Sequence, residues 1–136
     1  MKTSVLVSAI ATALLLVCTS AASAADATAA EAKALLEKAI SELKANEAAA
    51  LAKFNKLDGG FRDRDLYVFC ASMTDGKFSA HTNQALLGTD IRALKEKDGT
   101  PFGEKIFTEM KEGTINTVDY NFPRPGTTEP VPKQSS

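Results

Sequence analysis

Beyond residue 25, apolar side chains first recur every three or four positions. From Asp26 to Leu57 the chain is dominated by Ala, Leu, Glu and Lys, strong helix formers, with no Gly or Pro among them. Leu36, Ile40, Leu43, Ala50, Phe54 and Leu57 fall on one stripe, with Glu47 at its single polar position. The pattern predicts one long helix with a face built to pack. Asp58-Gly59-Gly60 tolerates positive φ and ends it. At Asp65 the period becomes two: Leu66, Val68 and Cys70 alternate with Tyr67, Phe69 and Ala71, and both sets are apolar, which describes a strand buried on both faces. The Asp-Gly pair of Thr74-Asp75-Gly76-Lys77 then turns the chain, and Phe78 to His81 reads as the returning strand of a β-hairpin.

Asn83 to Gly99 reads as a loop that tucks Leu86, Leu87, Ile91 and Leu94 inward. Thr100 can cap a second helix, with Pro101 at its first position, Phe102, Ile106 and Met110 as its stripe, and Gly113 as its stop. Ile115 to Phe122 alternates as another strand, with Val118 and Tyr120 on one face. Pro123-Arg124-Pro125-Gly126 and Glu129-Pro130-Val131-Pro132 read as a stiff surface connection with no strand after it. This order predicts an α+β domain in which an antiparallel sheet packs on a long N-terminal helix.

The first 24 residues change the picture of where that domain works. Lys2, the apolar run from Val5 to Val17 and the small residues Ala22-Ser23-Ala24 have the form of a cleavable signal peptide, with cleavage after Ala24 or Ala25. The run is shorter than the roughly 20 residues that span a bilayer. A soluble periplasmic or secreted product of about 111 residues is expected, one domain over residues 26–136. Loss of Lys2, the one charged residue of the leader, takes the net charge from −1 to −2, and no basic run suits nucleic acid.

Candidate chemistry is sparse. There is no Gly-x-Ser-x-Gly elbow, no triad neighbour for the single histidine and no phosphate-binding glycine motif, so neither an enzyme nor a cofactor is expected. Cys70 and His81 alone cannot make a structural zinc centre. The thiol is the one cysteine left after cleavage, an odd residue for an oxidising compartment.

Leu66-Tyr67-Val68-Phe69, Asp75-Gly76-Lys77, Ala80-His81-Thr82-Asn83, Leu87-Gly88-Thr89-Asp90, Asp98-Gly99-Thr100-Pro101-Phe102, Gly113 and Val118-Asp119-Tyr120 follow one another as in the single Cache domain family, second subtype. The chain resembles that family from about Ala32 to Ser135. The resemblance implies a PAS-like antiparallel sheet behind the long helix, and an extracytoplasmic sensing module like those of chemoreceptors and histidine kinases. It implies a small-molecule ligand, a short carboxylate, held between the sheet and its covering loops, and a membrane sensor or transporter as the reader. It also implies a further strand pair after Lys133-Gln134-Ser135, so the domain is expected to be C-terminally incomplete; Cys70 is then either a buried small apolar residue or a thiol that a second cysteine in the missing segment could pair with.

Carried over by position, the ligand-binding candidates are His81, Asn83, Tyr120, Phe122 and Lys133, with Tyr67 and Phe69 expected in the core. Protonated His81 would make binding stronger as pH falls through its titration. The alternative is a structural or partner-binding protein that uses the Leu36 to Leu57 stripe to pair helices, as in a homodimer.

Overall fold

The computed structural model describes residues 26–136, so the expected signal peptide lies outside the described residues. The helix-forming segment is divided into α1 (Ala29–Ala45) and α2 (Glu47–Lys56). This corrects the single long helix of the sequence reading. Asn46 carries the break in extended backbone, and its side chain accepts the Ala49 N–H at 3.0 Å, capping α2. Asparagine competes for backbone in this way and favours caps over helix interiors.

α2 then doubles back beside α1. Lys53 pairs with Glu42 at 2.6 Å, and Lys38 reaches the Gly59 carbonyl at 2.5 Å. On an unbroken helix Glu42 and Lys53 would stand about 16 Å apart along the axis. The helix stripe is therefore split: Ala50 and Phe54 are buried with Ala39, Phe61 and Ala80, while Leu36 and Ile40 face a groove. α1 begins with a capping box that the sequence reading passed over, in which Thr28 and Glu31 satisfy each other's backbone N–H groups.

Strands β1 (Arg62–Asp63) and β2 (Leu66–Tyr67) form a tight hairpin whose turn places Arg64 at a positive φ of 55°. From there Arg64 reaches Glu31 at 2.6 Å. Asp65 accepts the Ala27 N–H at 2.9 Å, so the start of α1 is tied to this turn. β3 (Cys70–Ala71) pairs with β4 (Phe78–Ala80) as the second hairpin, with a register shift between Cys70 and Ala71. The single strand expected over 65–71 is thus two short ones that pair in turn with β1 and β4. Gly76 permits the turn, since a Cβ there would stand 2.6 Å from Asp90 Oδ1.

The loop over 83–99 contains 3₁₀ turns at Gln84–Leu86 and Ile91–Ala93. α3 (Phe102–Glu109) follows, with Pro101 in the N-cap position and no side-chain cap, so the capping role expected of Thr100 is not taken up. Gly103 lets α3 sit directly on the second 3₁₀ turn, because a Cβ would fall 1.9 Å from the Ile91 carbonyl oxygen.

β5 (Val118–Pro123) pairs with β6 (Pro130–Ser135) through six residue pairs from Val118↔Ser135 to Pro123↔Pro130. β6 occupies the segment read as a surface connection. Backbone direction alternates along a strand, so Pro130 and Pro132 point their nitrogens away from β5 and leave 131, 133 and 135 to pair. Proline at alternate positions suits an edge strand and hides it from a propensity reading. The result is an α+β fold with three antiparallel strand pairs, β1–β2, β3–β4 and β5–β6. Its second core, Phe78, Ile91, Phe102, Ile106, Val118 and Tyr120, lies where α3 meets β4 and β5.

Candidate functional site

Two spaces meet at Tyr67, Phe69, Ile106 and Tyr120, which line both. One is a groove of about 960 Å³ between α1, residues 65–71, α3 and the β5–β6 hairpin. The other is a void of about 10 Å³ behind the aromatic rings, no larger than a single water needs. Alternation along the strands builds this junction: Tyr67 and Phe69 project to the α3 side, as does Tyr120.

The structure brings four of the five candidate residues to this junction. His81 follows β4 and is buried at 4 % exposure against Phe78, Tyr67 and Phe69, with ring centroids 5.2, 5.5 and 6.1 Å away. Its Nδ1 accepts the Asn83 N–H at 2.9 Å, which leaves Nε2 to carry the proton of the neutral ring. Burial, and secondarily the charge of Lys133, pulls its pKa down to about 4. The ring is neutral near pH 7, and the protonated donor of the sequence reading is corrected accordingly.

Tyr120 stacks on Phe102 at 4.7 Å, and its hydroxyl shares a 2.7 Å hydrogen bond with Ser135 Oγ. Phe122, half-buried, leans on Phe102 and Tyr120 and closes the small void. Lys133 stands opposite Tyr120 on β6, with Nζ 3.3 Å from the Asp65 carbonyl and 4.9 Å from the Tyr67 ring centroid. Asn83 is elsewhere: exposed, it caps the first 3₁₀ turn by accepting from Ala85 N–H at 3.1 Å, and it lines neither space.

Tyr67 and Phe69 line the groove as well as packing against the core. Sequence reasoning placed them in the core because their strand is apolar on both faces. A clue was available in the same pattern, since such a strand needs cover on each side and a groove opens where cover is incomplete.

The charges at the groove are unevenly matched. Asp65 is engaged by Ala27, Glu96 by the backbone and side-chain amides of Asn121, Asp119 by Gln134, and Asp26 by Arg124. Lys133 is half-buried, and among the described residues no carboxylate makes an ion pair with it. Burial is the first cause that lowers its pKa, with Arg124 adding to it and Asp65 and Asp26 opposing it. Cys70 also borders the groove; burial first, then the charge of Glu47, pushes its thiol up to about 11, so it is an unreactive thiol near neutral pH. Among the described residues no group of three or more metal-ligating side chains occurs, and no helix is long and apolar enough to cross a membrane.

An α+β domain with an apolar groove and a half-buried lysine without an ion pair on its wall has the form of a small-molecule binding module. The chain belongs to the single Cache domain 2 family, which it matches over residues 5–136. Members of this family are extracytoplasmic modules that sense small molecules. No match is found among curated proteins or among solved structures.

Proposed function

We propose that the protein is a periplasmic or secreted sensing module whose groove recognises a carboxylate at Lys133, short acids being the smallest such ligands. The observation that carries this reading is the half-buried Lys133 ammonium, held over Tyr67 without an acid in contact while neighbouring acids on the rim are engaged. A charge in that position gains from an anionic ligand more than an exposed lysine would, because partial burial strengthens charge-assisted hydrogen bonds. Tyr67 and Tyr120 supply the aromatic and hydroxyl surroundings in the groove, with neutral His81 buried behind Tyr67, and a membrane sensor or transporter reads the bound state.

Titration calorimetry against acetate, propionate, lactate and pyruvate tests the reading. Lys133→Ala should weaken binding by about 1.5–3 kcal/mol, roughly ten- to a hundredfold. Because His81 is neutral down to about pH 4, affinity should be flat between roughly pH 8 and pH 6, a range in which an ordinary histidine would begin to protonate, rather than rise as pH falls. Equal binding by the parent and Lys133→Ala would remove the basis for the carboxylate.

A further inference from the structure

We infer that the preferred ligand is an aliphatic carboxylate whose tail runs along the groove away from Lys133. The inference rests on the proposed carboxylate site and extends it to the rest of the ligand.

The groove has two unlike ends. At one end Asp65 joins Ala27 and Lys133, so the start of α1, the start of the 65–71 segment and the ammonium lie together. At the other end Cys70 lies within reach of the charge of Glu47, just past the end of α1. Helix α1 and residues 65–71 therefore run alongside each other in the same sense, and the six steps from 65 to 71 cover about 20 Å.

The walls along that path are apolar: Leu36, Ile40 and Leu43 on α1 and Val68 and Cys70 line it together with Met110, just after α3. The two large apolar side chains left exposed in the described chain, Met73 at 54 % and Ile115 at 43 %, both border this groove. Scattered exposed apolar residues carry no message, but concentration along one groove marks a surface that a ligand covers. The small void behind the rings has no room for a ligand, so growth of the ligand from Lys133 is directed along α1. A carboxylate complements the half-buried Lys133 ammonium, and an unbranched tail complements a long apolar channel bordered by flexible Met73 and Met110.

The test is calorimetry of the purified protein with acetate, butyrate, octanoate, laurate and dodecanol, each kept below its micellar concentration. Affinity should rise roughly fourfold per added methylene, equivalent to about 0.8 kcal/mol for each buried CH₂, until the groove is filled. Dodecanol, which lacks the charge, should bind at least about tenfold more weakly than laurate. Ile40→Gln, an exchange that keeps a good helix former, should flatten the dependence on chain length, with its circular dichroism unchanged. If acetate binds and affinity does not grow with chain length, the tail assignment is wrong while the carboxylate reading stands. If no acid of any length binds, both fall.

Discussion

The helical half and the aromatic half of this domain are packed on different principles. Around α1 and α2 the core is made of Ala39, Ala50 and Ala80 closing on Phe54 and Phe61, whose rings meet edge to face at 4.6 Å. Alanine lets backbones approach, and the two rings fill what remains, so both are at most 2 % exposed. Around β4, β5 and α3 the core is Phe78, Phe102 and Tyr120 with Ile91, Ile106 and Val118, ringed by half-buried Phe69, Leu94 and Phe122. Rigid rings crossing at several angles leave crevices that close packing would not. The first half is closely packed, and the second borders the groove in which the ligand is proposed to bind.

The largest effect expected from this contrast is in the helical half. Phe54→Ala should cost about 3–5 kcal/mol of stability, since a large buried ring is removed from a site with little freedom to collapse. Phe122→Ala, at a half-exposed ring beside the void, should cost less by urea denaturation, and equal losses would erase the distinction between the two cores.

The aromatic half should also be the acid-sensitive one. His81 has a folded pKa of about 4 against an ordinary value of 6.5, so the unfolded chain binds more protons between those limits. Its contribution is fully present above pH 6.5 and is lost as pH falls toward 4. Urea midpoints measured over this range should fall more steeply for the parent than for His81→Gln, and parallel profiles would mean that the ring titrates as if exposed.

The smallest effect concerns one hydroxyl. Tyr120→Phe keeps the stack on Phe102 and removes the bond to Ser135, so about 0.5–1.5 kcal/mol should be lost from the β5–β6 pairing. A loss comparable with that of Phe54→Ala would show that the hydroxyl holds more than the edge strand.

Legibility in the sequence followed the same division. Alternation at 118–122, the Asp75-Gly76 turn and the stripe of α3 are visible because each depends on neighbours a few residues away. The family resemblance placed His81, Tyr120, Phe122 and Lys133, and the structure gathers these around Tyr67 and Phe69. Two features escaped for physical reasons. The break at Asn46 rests on one cap inside a run of helix formers and goes with the packing of Ala39 and Ala50 in one core, a long-range contact that helix propensity does not reveal. β6 escaped because Pro130 and Pro132 read as breakers, although an edge strand uses only alternate N–H groups. Asn83 differs from the other candidates: next to His81 in sequence, it spends its side chain on a local turn.

The fold at Asn46 also sets how the domain can move. Unbroken, residues 29–56 would make a rod about 42 Å long, whereas α1 alone spans about 25 Å and α2 returns beside it. A push on α1 from the groove arrives sideways, as tilt. Ala39 lies in one cluster with Ala50, Phe54 and Phe61, so such a tilt would load α2 and the start of the β1–β2 hairpin rather than a distant tip. Mechanically the helices act as a short lever, suited to torque at their base and poorly suited to thrust along a shaft.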